Sequence, residues 1–298
     1  MSDSTLGTVL MTPAGVVSMV FLVGPLLYGL AMGFRRINSS TLNADWPFTG
    51  LDNWQRVLSN PQFHAAVPRT LVLAGGTVAL SLVVALVMAL VLNERFRGRT
   101  LVQIAVLLPW IIAPIASGLM WRWLFDGNFG LVNVIGTRTG LLDQNVGWLS
   151  RPNVAMAVAV LAESWRSIPV LTLLFLARLR GLNPNLYKAA KIDGAEIAAR
   201  LRHVTLPSMR GVLAVGAVLQ VISALQAFDV LYTLTQGGPA GATTVLNLLL
   251  YKQAFQSLNF GAASVLALMI GFLTAFVLVV VAAARVASRA LADRRGAG

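Results

Sequence analysis

The chain has 298 residues, of which 57% are hydrophobic and only 11% charged; its mean hydropathy is +0.75 and its formal charge +12. Soluble domains carry roughly a quarter charged residues, so this composition excludes a soluble fold and requires a membrane. With no cysteine, the chain has no disulfide framework and no thiolate metal or nucleophile site, and two histidines, His64 and His203, leave little for metal ligation or general-base chemistry. The basic residues are spread over short connections between apolar runs, which excludes a nucleic-acid-binding face.

Taken in chain order, apolar stretches near or above the roughly 20 residues that a bilayer crossing needs fall at 12–34, 70–92, 101–125, 154–177, 211–228 and 262–284. No basic segment precedes the first stretch and no A-x-A-like site follows it, so it is expected to be a retained span and not a cleaved signal peptide. The connection "NADWPFTGLDNWQRVLSNPQFHAAVPRT" holds turn residues with Trp46 and Trp54, as an interfacial segment would, and "TQGGPAGATT" places Gly237, Gly238 and Pro239 in a tight turn. No connection is long enough for a soluble catalytic domain. The expectation is an all-α polytopic membrane protein with six transmembrane helices, a single domain over residues 1–298.

Lys and Arg set the orientation. With both termini inside, Arg95, Arg97, Arg99, the basic residues from Arg178 to Arg210, and Arg285, Arg289, Arg294 and Arg295 are cytoplasmic. Arg35, Arg36, Arg56, Arg69, Arg138, Arg151 and Lys252 then lie outside. The bias predicts cytoplasmic termini, although Arg35 and Arg36 directly after the first span argue locally for the reverse.

Ionisable groups inside spans are functional candidates because placing them in lipid is costly. Glu163 and Arg166 in "AESWRSIP" stand at i and i+3 on one helical face, with Trp165 beside them. Two readings stay open: a structural ion pair, or a polar wall of an aqueous path in which the charged groups bind hydroxyls and Trp165 stacks on a sugar. Asp229 closes the fifth stretch with Gln220, Gln226 and Tyr232 near it, either at a solvated helix end or against a solute. Arg122, between Trp121 and Trp123, reads as a snorkelling anchor at the membrane surface.

Between the fourth and fifth stretches lies "YKAAKIDGAEIAARLRHVTLP", residues 187–207, whose charges keep it out of lipid. Asn183 is a good N-cap with Pro184 at the first helical position. A second helix is predicted to begin at Asp193, with Glu196 three residues on as an Asp version of the capping box and Gly194 allowing a bend. Ile197, Leu201 and Val204 then share a face, and Pro207 restarts the chain as the next span begins. An amphipathic helix pair resting on anionic lipid would explain the charges. It leaves unexplained the small residues Ala189, Ala190, Gly194 and Ala195, which suit close approach of another protein.

This segment resembles the EAA loop of binding-protein-dependent ABC importer permeases, whose pattern is E-A-A, two residues, D-G-A, five residues, F, two residues, I, one residue, L-P. Ala189, Ala190, Asp193, Gly194, Ala195, Leu206 and Pro207 fall on the pattern with the same spacing, and Leu201 and Val204 take its Phe and Ile positions. Lys188 departs from it, standing where the motif has glutamate. Three further segments, "GLDNWQRVLSNPQFHAAVPRTLVLA", "LLPWIIAPIASGLMWRWLFDGNFGLVN" and "LYTLTQGGPAGATTVLNLLLYKQAF", resemble carbohydrate permeases of the maltose and glycerol-3-phosphate type. The resemblance covers roughly residues 12–285.

That resemblance implies the type I ABC importer permease fold, in which residues 181–207 form a cytoplasmic coupling-helix loop. It implies a location in a bacterial or archaeal cytoplasmic membrane, surrounded by membrane lipid. The implied partners are a second homologous permease subunit, two ATPase subunits and an extracytoplasmic solute-binding protein; nucleic acid is not among them. Coupling would rest on Lys188, Ala189, Ala190, Asp193, Gly194, Ala195, Leu201 and Pro207. No G-x-x-x-x-G-K-[ST] sequence occurs. The chain is therefore expected to bind no cofactor and to be no enzyme, with ATP and Mg held by the partner ATPase. A secondary transporter driven by an ion gradient would share the spans and the Glu163–Arg166 pair, but it gives no account of the charged segment.

Overall fold

The computed structural model describes residues 11–13, 15–41 and 45–296, with side chains to residue 283. The N-terminal decapeptide, on which the retained-span reading partly rests, and the side chains of Arg285, Arg289, Arg294 and Arg295 lie outside the described residues. In chain order the helices are α1 (Met11–Gly33), α2 (Asp52–Leu58), α3 (Pro61–Asn93), α4 (Arg99–Ile111), α5 (Pro114–Leu124) and α6 (Leu131–Arg138). There follow α7 (Pro152–Arg180), α8 (Pro184–Ile192), α9 (Ile197–Leu225), α10 (Asp229–Leu234), α11 (Leu246–Tyr251) and α12 (Phe260–Gly296). The fold is all-α: among the described residues, the sole β pairing is an isolated bridge between Arg35 and Phe48.

Five of these helices are long and apolar enough to cross a membrane, and the pair α4–α5 makes a sixth crossing if taken as one span. The sequence predicts one helix over 101–125, whereas the structure breaks it between Ile111 and Pro114 with a bend of 101°. Pro114 supplies the reason. A residue preceding proline is pushed out of the α region, and Ile112 and Ala113 are both extended, at ψ 129° and 138°. Pro114 then opens α5 at its first turn, where a missing N–H costs nothing.

The chain forms two compact units. The first comprises the described residues up to Ala66 together with Leu249–Leu273. Here buried Asn53 on α2 donates Nδ2 to the carbonyls of Gly33 (3.0 Å) and Arg35 (2.8 Å), which satisfies backbone groups at the end of α1. Asp52 on the same helix pairs with Arg56 at 2.7 Å, one turn on.

The second unit, Val67–Leu248 with Thr274 onward, is organised around α7, which packs against α4, α5, α9 and α10. Lipid offers no hydrophobic drive between helices, so close packing needs small residues at the contacts. Ala85 and Ala89 of α3 and Ala155, Ala159 and Ala162 of α7 are all fully buried. Gly118 marks a close helix–helix approach: a Cβ there would stand 2.7 Å from the Val230 carbonyl oxygen, so only glycine lets α5 lie against α10. Around these contacts Leu171, Phe175 and Leu179 fill one core with Leu92 and Met209, and Leu73, Val158 and Leu231 fill another.

The connection from α5 to α7 is built on one amide. Asn133 of α6 is fully buried and donates Nδ2 to the carbonyls of Asp126, Gly127 and Val146. Its Oδ1 accepts from the Val146 N–H and from Trp148 Nε1. Removing it leaves several part-buried polar groups unpaired, and a fully buried one would cost about 1–3 kcal/mol. Asn133→Ala is expected to lower the melting temperature of the purified protein clearly, and Asn133→Asp, which keeps the acceptor and loses the donors, to do so as well; unchanged melting in both would show that the amide is peripheral.

Candidate functional site

The fourth apolar stretch appears as α7, opened by Pro152 at N1 and uninterrupted at Pro169. On one face Glu163, Arg166 and Ser167 follow at i, i+3 and i+4, and the Arg166 guanidinium lies 3.8 Å from the Glu163 carboxylate. Neither side chain is sealed in: Arg166 keeps 24% and Glu163 12% of its surface. At that separation the pair is an ion pair without a tight hydrogen bond, and Arg166 Nε has no partner. The two open readings of this pair are thus physically compatible, since the charges are paired while both side chains keep some exposed surface.

Two neighbouring cavities share Glu163, Arg166 and Ser223. One, of about 210 Å³, adds Trp110, Ser167 and Gln220 over an apolar wall that includes Leu174 and Leu219. The other, of about 200 Å³, adds Pro114, Gln226 and Asp229. Asp229 does not end the fifth span as the sequence reading has it. Helix α9 stops at Leu225, and after an irregular Gln226–Phe228 the Asp229 carboxylate sits in the first turn of α10, where a negative charge complements the helix dipole.

Gln220 is nearly fully buried and donates Nε2 to Ser167 Oγ (3.0 Å), which in turn lies 3.0 Å from Ser81 Oγ of α3. This polar chain joins three helices beside the Glu163–Arg166 pair. Trp165 and Tyr232 line neither cavity. The Trp165 ring meets Trp121 edge-on at 6.1 Å and Tyr232 stacks on Phe228 at 5.4 Å, so both are engaged in aromatic packing. Ser167, Ser223 and Trp110 escaped the sequence reading; Ser167 alone had a signal, its i+4 spacing from Glu163. Arg122 belongs to a larger cavity of about 730 Å³ that also includes Asp126, Asn145 and Thr235.

The charged segment forms α8, a turn, and the start of α9. Asn183 caps α8 as expected, its side chain accepting from the Asn185 N–H with Pro184 at N1. Asp193 does not start the second helix. It closes α8: the Gly194 N–H reaches the Lys191 carbonyl and the Ala195 N–H that of Ala190, a Schellman stop with Gly194 at φ +75°. Glu196 then occupies the N-cap of α9 without a side-chain cap bond, so the expected capping box does not form. Pro207 does not restart the chain either. Helix α9 runs through it, because residues Leu201–Thr205 widen into a π turn, which relieves the clash between a proline ring and the preceding turn.

Lys188, Ala189, Asp193 and Gly194 are exposed, while Ala190, Ala195, Leu201 and Pro207 are half-buried. Ile192 and Ile197, 86% and 78% exposed, stand out on the same segment. His203 Nδ1 lies 3.0 Å from the Ala199 carbonyl, and His64 packs edge-on against Phe63; both are exposed.

The profile of the family described as "binding-protein-dependent transport system inner membrane component" matches residues 81–292. The chain belongs to this family. The ion-gradient alternative falls with that match. The trehalose/maltose transport system permease protein MalF of Thermococcus litoralis is 37% identical to this permease over 87% of its chain and 85% of the relative's. The trehalose transport system permease protein SugA of Mycobacterium tuberculosis is 29% identical, covering 91% and 85%. Among solved structures, a chain of a bacterial ABC transporter involved in the import of the acidic polysaccharide alginate superimposes with a TM-score of 0.79 at 25% identity, covering 96% of both chains.

Proposed function

We propose that the permease forms half of the translocation path of an ATP-driven importer for a carbohydrate or glycerol-phosphate type solute, with the cavities around Glu163 and Arg166 lining that path. The family match carries the reading, and the relatives named for trehalose and maltose support the solute class. Glu163, Arg166, Ser223, Gln226 and Asp229 offer the charged and amide groups that hydroxyl-rich solutes bind. Trp165 and Tyr232 act behind this wall, holding helices in place. Both termini face the cytoplasm, as the distribution of Lys and Arg favours.

The exposed stretch from Lys188 to Ile197 docks into an ATPase subunit, which holds ATP and Mg; a second permease, a second ATPase and a solute-binding protein complete the importer. Two clamps suit this segment to transmit motion. Tyr187 Oη lies 3.0 Å from Thr205 Oγ1, joining α8 to α9, and Arg178 at the end of α7 donates Nε and Nη2 to the Ser208 carbonyl. The loop therefore moves with α7 and α9 and not independently of them.

The decisive test is solute uptake by proteoliposomes holding the complete importer, with and without ATP. Uptake that persists without ATP overturns the reading. Within that assay Lys188→Glu restores the family's usual charge, and it is expected to weaken ATPase stimulation because the facing ATPase surface is adjusted to a lysine. Unchanged stimulation would show that this side chain lies outside the contact.

A further inference from the structure

A groove of about 380 Å³ runs between α4 and α7, distinct from the cavities of the candidate path. On α7 the path cavities use residues 163–174, whereas the groove uses Leu173, Leu176, Ala177 and Arg180 nearer the end of the helix, and no residue lines both. Ile104, Leu107 and Leu173 make its apolar wall, and Thr100, Gln103 and Arg180 gather at one end. From Leu173 to Arg180 is seven residues, or about 10 Å of helix.

The charge on the groove's own lining is positive, from Arg180. Arg180 forms no ion pair among the described residues, whose salt bridges involve Asp52 and Glu163 only. Arg97 and Arg99 precede Thr100 in the chain and Arg178 precedes Arg180; Glu94 lies on the connection before α4, and no Asp or Glu occurs on α4 or, apart from Glu163, on α7. An apolar wall about 10 Å long that ends in hydroxyl, amide and guanidinium groups matches one kind of molecule, an amphiphile with a negatively charged head. A neutral sugar would leave the wall unpaired, and a cation would meet like charge.

We infer that the α4–α7 groove is a binding site for an anionic phospholipid, its phosphate on Arg180, Thr100 and Gln103 and an acyl chain along Ile104, Leu107 and Leu173. The basic end belongs to the side that Lys and Arg assign to the cytoplasm, the leaflet where anionic lipids are enriched. Bound there, the lipid ties the end of α7 to the start of α4 just before the segment proposed to dock on the ATPase.

The importer purified with its partner subunits would be titrated with phosphatidylglycerol and with phosphatidylcholine and examined by native mass spectrometry. Phosphatidylglycerol should be retained in preference. Arg180→Ala should weaken it about fivefold, the factor expected for one basic group at an anionic lipid head, and Arg180→Lys should keep most of it. Equal retention of both lipids, or no effect of Arg180→Ala, overturns the site. A second arm does not depend on that variant: the chain has no cysteine, so a photoactivatable label on Leu173→Cys reports directly what fills the groove. A phosphatidylglycerol adduct supports the inference, whereas cross-linking to the second permease subunit or equal adducts with phosphatidylcholine refutes it.

Discussion

Arg166→Ala is expected to lower ATP-driven uptake at least about tenfold while leaving the assembled importer intact. A hydrogen bond to a charged group is worth about 1.5–3 kcal/mol, and 1.4 kcal/mol is a factor of ten. The Arg166 guanidinium faces Glu163 at 3.8 Å, keeps Nε unpaired, and lines both cavities. Nε is buried, so the terminal guanidinium nitrogens are the donors left to a solute in those cavities, and the long contact to Glu163 does not consume them. Glu163→Gln should impair uptake as well. The double variant Glu163→Gln/Arg166→Ala separates the two readings of the pair: if the charges serve only each other, removing both restores transport, because no uncompensated charge is left in the span. If they handle solute, the double variant transports no better than the worse single one. Loss of subunit assembly in the single variants would point to a structural pair alone.

Gly194→Val should have an effect of similar size by a different route. Gly194 adopts φ +75° at the stop of α8, and a Cβ there would meet nothing within 4 Å. The cost of substitution is thus entirely in the backbone, about 1–2 kcal/mol for an L residue in the left-handed region and more for a β-branched one. A docking segment held off its turn by that amount loses roughly five- to thirtyfold in competent population. ATPase activity stimulated by the solute-binding protein should fall accordingly while the permease still assembles in the membrane. Gly194→Asn, which tolerates the same backbone region, should recover much of it. If Val and Asn behave alike, the turn is not what positions this segment.

The Asp-Gly pair at 193–194 shows how far local chemistry reaches. Its spacing within the segment, and the need for a bend at Gly194, were legible in the sequence, as was the Asn183–Pro184 start. The direction of the cap was misread, because Asp is favoured both before a helix and in turns after one, and the deciding hydrogen bonds from Gly194 and Ala195 run backward into α8. Pro207 was misread for a related reason. A proline predicts an interruption, and the π turn that absorbs it has no sequence signature of its own. The bend before Pro114 could be read from the Ala113–Pro114 step, whereas its angle of 101° could not.

What the sequence by itself determined is what depends on the chain's own composition and period: residence in a membrane, the number of apolar runs, the charged segment between two of them, and the shared face of Glu163 and Arg166. Each follows from the solvent demanded by the side chains or from the 3.6-residue repeat, and neither requires knowledge of a neighbour. Only the tertiary structure decided that Asp229 joins the Glu163 cavity from a separate short helix, that Gln220 turns to Ser167, that Trp165 packs on Trp121, and that Gly118 admits α10. These are contacts between segments tens of residues apart. In a chain where nearly every helix face is apolar, hydrophobicity does not mark which face meets protein and which meets lipid, so close packing makes the choice.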